Sequence, residues 1–139
     1  MRLFHRSVCA AIAVIAALAT SNSVGNADED IAFSSPTRGI GCHFYAQHLR
    51  CDVAGELVPM PPRPADCDWD YGQGYYLKPR GRASIVCAGD TARGGNLIIP
   101  YGKTFARYGI TCSSSIDGMR CTNADRHGFF ISRGEAYRF

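Results

Sequence analysis

Beyond its first thirty residues the sequence has nothing that builds a helix, since no stretch keeps apolar residues at the 3.6-residue period. Nor does it contain the roughly 20 consecutive apolar residues that span a bilayer. The longest uncharged apolar run, Ser7 to Ala19, has 13. No Cys-x-x-Cys pair occurs, and the closest cysteines after residue 30 stand nine positions apart, which argues against structural zinc. No Gly-x-Ser-x-Gly nucleophile elbow is present. Lysine is scarce, and charge of either sign is nearly balanced once the N-terminus is set aside.

That N-terminus reads as an export leader. Arg2 and Arg6 precede the short apolar run, and Gly25 and Ala27 are small residues at the positions a signal peptidase reads, just before the acidic Asp28-Glu29-Asp30. A helical signal peptide over residues 1–27, with one domain over 28–139, is the expected organisation. Cys9 lies within the apolar run and marks no lipid anchor. Removing 27 of the 139 residues leaves 112 and lowers Lys plus Arg from 15 to 13 against 12 acids. A net charge of +1 lacks the concentrated basic patch of a general polyanion or specific nucleic-acid binder. The destination is the periplasm or the outside of the cell, and the membrane is met only through the leader. Oligomeric state is left open.

Six cysteines remain after cleavage: Cys42, Cys51, Cys67, Cys87, Cys112 and Cys121. An even number in a small exported domain reads as three disulfides. Spacing alone does not choose among the fifteen pairings, but an internal repeat does. Gly39-Ile40-Gly41-Cys42 to Leu49-Arg50-Cys51 aligns without gaps with Gly109-Ile110-Thr111-Cys112 to Met119-Arg120-Cys121, an offset of 70 residues. If each copy is a β-hairpin, Cys42 faces Cys51 and Cys112 faces Cys121, around four-residue loops at 45–48 and 115–118. Such loops are usually built on a type I turn closed by a left-handed residue, here His48 and Gly118. Alternation then places Ile40, Cys42, Phe44, Leu49, Cys51 and Val53 on one face and Gly41, His43, Arg50 and Asp52 on the other. A slip of one residue would mix the sets. Cys67–Cys87 is the third bridge by remainder.

Between the copies, Val58-Pro59-Met60-Pro61-Pro62-Arg63-Pro64 must be extended and cannot form a central strand. Residues 67–77 read as a long loop. Segments 82–88, 96–101, 103–110 and 128–133 are β-like, and Tyr137 with Phe139 forms a closing aromatic clasp. Many short strands with glycine turns predict an all-β fold, a small disulfide-stapled sandwich or open barrel with two related hairpins.

Four segments carry a resemblance: Val86-Cys87-Ala88-Gly89-Asp90-Thr91, Tyr101-Gly102, the Gly109-x-x-Cys112 to Gly118-x-x-Cys121 stretch, and His127-Gly128-Phe129-Phe130-Ile131-Ser132-Arg133. They resemble a family of small exported, cysteine-containing bacterial domains of unknown function, found in actinobacteria and others. The resemblance covers residues 31–139, and Cys67-Asp68-Trp69 stands where that family has its tryptophan-containing middle. It implies an extracytoplasmic single domain and brings no catalytic residues.

Three sets of side chains are candidates for chemistry. Asp66, Asp68 and Asp70 alternate, but positions six and twelve of an EF-hand loop counted from Asp66 hold Tyr71 and Leu77 instead of Gly and Glu, so no metal is expected. His43, His48 and His127 could serve a small secreted, ribonuclease-like hydrolase as acid and base, although His43 and His48 are not an obvious dyad in the hairpin register. Trp69, Tyr71, Tyr75 and Tyr76 cluster within eight residues on a loop braced by Cys67, which suits a contact surface for an envelope protein or glycan. The preferred expectation is therefore a non-catalytic binding module with no cofactor and no catalytic residue, the hydrolase being the alternative.

Overall fold

The structure is a computed structural model that describes residues 29–139; the leader expected over 1–27 lies outside them. Among the described residues there is no helix, only eleven strands in two sheets. The first sheet contains β1 (Ile31–Ser34), β2 (Ile40–Tyr45), β3 (His48–Val53), β4 (Tyr71–Leu77), β5 (Ser84–Cys87) and β6 (Leu97–Ile98). Its order is β5-β4-β3-β2-β1-β6, antiparallel except where β6 lies parallel to β1. The second contains β7 (Thr104–Arg107), β8 (Ile110–Ser115), β9 (Gly118–Thr122), β10 (Gly128–Ile131) and β11 (Ala136–Arg138), in the order β11-β10-β9-β8-β7. The two sheets pack face to face as a sandwich, each turning alternate side chains inward.

The hairpins pair in the predicted register. Cys42 faces Cys51 and Cys112 faces Cys121, both pairs bridged, with Cα atoms 4.1 and 4.0 Å apart. Such short separations belong to non-hydrogen-bonded antiparallel pairs, whose side chains approach each other more closely. Cys67–Cys87 completes the set and ties the chain after the prolines to the end of β5. Each bridge restrains the unfolded chain by about 3 kcal/mol, comparable in sum to the roughly 5–15 kcal/mol net stability of an ordinary domain.

The loops differ from expectation. Tyr45 pairs with His48, and Ser115 with Gly118, so each hairpin loop has two residues and not four. In the first, Ala46 and Gln47 take φ values of 43° and 63°, and His48 is an ordinary strand residue. A turn with two left-handed residues matches the twist of the flanking strands, which is why it displaces the longer loop. In the second, Gly118 is required for space, because a Cβ there would sit 2.5 Å from the Ile131 carbonyl oxygen.

The repeat extends beyond the hairpins. Across the first sheet one inward row runs Phe33, Cys42, Cys51, Tyr75, Ile85. Across the second the matching row runs Phe105, Cys112, Cys121, Phe129, Arg138. Equivalent residues meet each other across the sandwich. Phe33 packs on Phe105 and Tyr75 on Phe129, each with ring centroids 5.1 Å apart. The sulfurs of Cys51, Cys112 and Cys121 lie within 4.8 Å of one another, so the two hairpin bridges touch at the centre. Those three sulfurs would suit a soft metal as thiolates, but each is half of a disulfide and has no thiolate to offer. Around them Phe44, Leu49, Leu77, Ile110, Met119 and Ile131 are fully buried.

Residues 71–77 correct the sequence reading. They form β4, an interior strand of the first sheet, and not part of a long loop. Gly72 and Gly74 hide the alternation, and the pairing with β5 is irregular between Tyr71 and Tyr75. Gly74 has no substitute there, because a Cβ would lie 1.9 Å from the Cys51 carbonyl oxygen. Gly128 occupies the equivalent place in β10 and would meet the Cys121 carbonyl at the same 1.9 Å. The proline segment forms no strand, as predicted, but it bends at Val58 and Pro59, where the Ala136 N–H donates to the Val58 carbonyl at 2.7 Å.

Candidate functional site

The outward face of the first sheet carries the row Ala32, His43, Arg50, Tyr76, Ser84. Arg50 is only 6% exposed, because residues 88–95 cross this face as a strap. Its Nε and one terminal nitrogen donate to the two Asp52 carboxylate oxygens at 2.9 and 2.7 Å. The guanidinium also donates to the Asp90 carboxylate at 2.6 Å and to the Asp90 carbonyl at 2.7 Å. The Ala92 N–H donates to Asp52 at 2.8 Å. Gly41 lets the strap press down, since a Cβ there would lie 2.5 Å from the Arg93 Cα. Burial disfavours the charge on Arg50, yet the hydrogen bonds to Asp52 and Asp90 outweigh it and hold its pKa above the ordinary value. The same contact lowers the pKa of Asp90. This arginine is a fastener for the strap, with its donors committed inside the protein.

Beside it, a hollow of about 380 Å³ is lined by Asp30, His43, Tyr45, Tyr76 and Asp90. The Tyr45 phenol is pushed up to about 12, first by burial and then by its hydrogen-bonded neighbour Tyr76. His43 lies 3.9 Å from Asp30, beyond hydrogen-bond length. His43 and His48 stand on either side of Tyr45, with ring centroids 5.6 and 6.2 Å from it. His127 lies just before β10 of the other sheet, where its Nδ1 is 3.3 Å from the Phe139 carbonyl oxygen. Among the described residues no two histidine rings touch, so the hydrolase arrangement is not brought together.

The four aromatics read as a contact surface separate as well. Tyr75 is 4% exposed and belongs to the core, because its pairing with Cys51 turns it inward. Tyr76, next along the strand, points the other way and stands beside Arg50, 5.7 Å from ring centre to guanidinium. Tyr71 is half-buried opposite Cys87. Trp69 is 65% exposed, with its ring laid against Gly89 of the strap. Four neighbours in sequence thus serve four surroundings, and Tyr75 is corrected from surface to core.

A surface that sequence reasoning missed lies on the outside of the second sheet. The row equivalent to Ala32–Ser84 reads Thr104, Ser113, Arg120, Phe130, Tyr137. Phe130 and Tyr137 stack with centroids 5.4 Å apart and planes at 25°. Tyr137 continues to Phe139 at 6.4 Å, and the Arg120 guanidinium lies 3.8 Å over the Phe139 ring. Among the described residues no strap like 88–95 is fastened to this face, and Tyr137 is exposed. Tyr137 and Phe139, read as a clasp on the core, are instead outward-facing. The signal was available: alternation with Ile131 buried opposite Met119 requires Phe130 to point outward.

Tyr137 and Phe139 also line a groove of about 520 Å³ at the open side of the sandwich. Pro59, Met60, Pro61 and Pro62 also line it, with Tyr75, Ile85, Arg82 and Arg138. No Asp or Glu side chain lines the groove. Burial raises the pKa of the Tyr75 phenol, and the positive charge of Arg138 opposes that rise. Aromatic faces, a phenol and guanidinium donors make this a surface for stacking and hydrogen bonding.

Among the described residues no helix is long and apolar enough to cross a membrane, and three disulfides are the mark of an oxidising compartment outside the cytoplasm. No curated protein and no solved structure matches the chain. Residues 10–139 do match a family described as a family of unknown function, DUF6636, and the chain belongs to that family.

Proposed function

We propose that the protein is an exported, non-catalytic binding module of a bacterial cell envelope or extracellular space, and that it meets an envelope glycan on the open face of its second sheet. The observation that carries this reading is the uncovered run Phe130, Tyr137, Phe139, capped by Arg120. The exposed Tyr137 ring, flanked by the half-buried Phe130 and Phe139, suits stacking on the C–H face of a sugar ring, while the Ser113 and Thr104 hydroxyls on the same row supply hydrogen bonds. The leader over 1–27 and the disulfides support a periplasmic or secreted location. The hydrolase alternative would use His43, His48 or His127 as acid and base, of which the first two neighbour Tyr45 and the third lies against the Phe139 carbonyl.

Retention of the purified protein on insoluble envelope polysaccharide tests the reading. Tyr137→Ala is expected to weaken retention about tenfold, or about 1.4 kcal/mol, and Trp69→Ala to leave it unchanged. Equal retention of wild type and Tyr137→Ala would remove the face from the account.

A further inference from the structure

We infer that the glycan recognised here is acidic, a polysaccharide carrying carboxylates, with its sugar rings on Tyr137 and Phe139 and its carboxylates on Arg138 and Arg82. This rests on the reading of the aromatic face just proposed.

The internal symmetry supplies the first reason. Arg138 occupies the inward position that Ile85 holds in the first sheet. Every other position of that row is matched by a like residue: phenylalanine by phenylalanine, cysteine by cysteine, tyrosine by phenylalanine. Only at the open side does an apolar residue become a cation. A purely structural role accounts for part of this, since one Arg138 nitrogen donates to the Ala83 carbonyl at 3.1 Å and ties the two sheets together. A guanidinium has five N–H groups in a planar fork, however, and this contact uses one of them.

The second reason is electrostatic. The groove brings Arg138 and the exposed Arg82 together with no Asp or Glu side chain among its lining residues. Arg120, on the adjoining face, also has no ion-pair partner among the described residues; the pairs present are those of Arg50, Arg80 and His43. The chain as a whole is nearly neutral after loss of its leader, so this cationic lining is local. An arginine fork matches a carboxylate in a bidentate manner, which gives direction as well as charge. Pro59, Pro61 and Pro62 in the same lining have no N–H to offer, so the donors left to hold an occupant are chiefly those of the arginines.

The test uses the full chain expressed with its own N-terminus and purified oxidised. Its affinity for polygalacturonate, for dextran of similar length, for polyuridylate and for inorganic phosphate is measured at low and high salt. The expected result is binding of polygalacturonate at least tenfold tighter than dextran, weakened by salt, with about tenfold loss in Tyr137→Ala and in the Arg82→Gln/Arg138→Gln double variant. Thermal melts of the variants establish that they are folded; single Arg82→Gln, which breaks no hydrogen bond, keeps the comparison valid if the double variant is not. Equal binding of dextran, lost in Tyr137→Ala but not in the arginine variants, would overturn the acidic assignment and leave the aromatic face standing. Polygalacturonate binding that none of these variants weakens would overturn both. Polyuridylate bound as tightly, or phosphate competing at the groove, would assign the arginines to phosphate and overturn the carboxylate.

Discussion

Arg50 and Arg120 are the same residue in two copies of one hairpin, and they live in opposite surroundings. Arg50 is 7% exposed at its side chain and clamps Asp52 and the strap, while Arg120 is open to solvent over the Phe139 ring. Their inward neighbours are nearly interchangeable: bridged cysteines, a phenylalanine, and an aromatic following an obligatory glycine. A sandwich of this size is held to its core pattern, because an inward change must be accommodated on both sheets at once. The outward faces carry no such coupling. One of them has been sealed by residues 88–95 and the other left open with three rings in line. The sealed face tells of stability; the open face tells of contact.

That contrast makes unequal predictions for equal substitutions. Arg50→Ala strands the buried Asp52 carboxylate, and loss of one partner from a buried pair costs about 3–5 kcal/mol. Arg120→Ala removes an exposed cation–π contact of about 0.5–1 kcal/mol. Urea unfolding of the oxidised protein measures both, and a similar loss for the two variants would break the distinction between sealed and open faces.

A smaller effect concerns acid. The Asp90 pKa lies below its ordinary 3.8, chiefly through the hydrogen bond from Arg50. A depressed carboxylate contributes stability above its unfolded pKa and loses it as the pH falls through the folded value. Wild type should therefore exceed Asp90→Asn in melting temperature near pH 6, with the gap closing below about pH 4. The side chain is 82% exposed, so solvent screening keeps the gap small. A gap that persists unchanged in strong acid would show that the carboxylate charge is not what fastens the strap.

Much of the core was legible in the sequence. Period-two alternation pinned by cysteines leaves one register for 40–53 and for 110–122, and the third bridge follows. The repeat becomes invisible just beyond Cys51 and Cys121. Its next strands, with Gly74-Tyr75 and Gly128-Phe129 in equivalent places, are reached through connections of different length, so a gapless comparison stops at the cysteines. Losing β4 in this way also misplaced Tyr75, whose inward orientation follows only from its pairing with Cys51. The open face was hidden for a longer-range reason. Which outer face is covered depends on Arg50 finding Asp90, forty residues away in the chain. Neither residue advertises that partnership in local pattern.

The central claim is that ligand meets the second sheet and not the first. Backbone amide shifts recorded while the protein is titrated with a soluble fragment of the retained polysaccharide test it directly. The account predicts shifts concentrated at 118–122, 128–131 and 136–139, with 40–53 and the strap at 88–95 unmoved. Shifts gathered instead around His43, Tyr45, Arg50 and Asp90 would place the site on the sealed face and contradict the account.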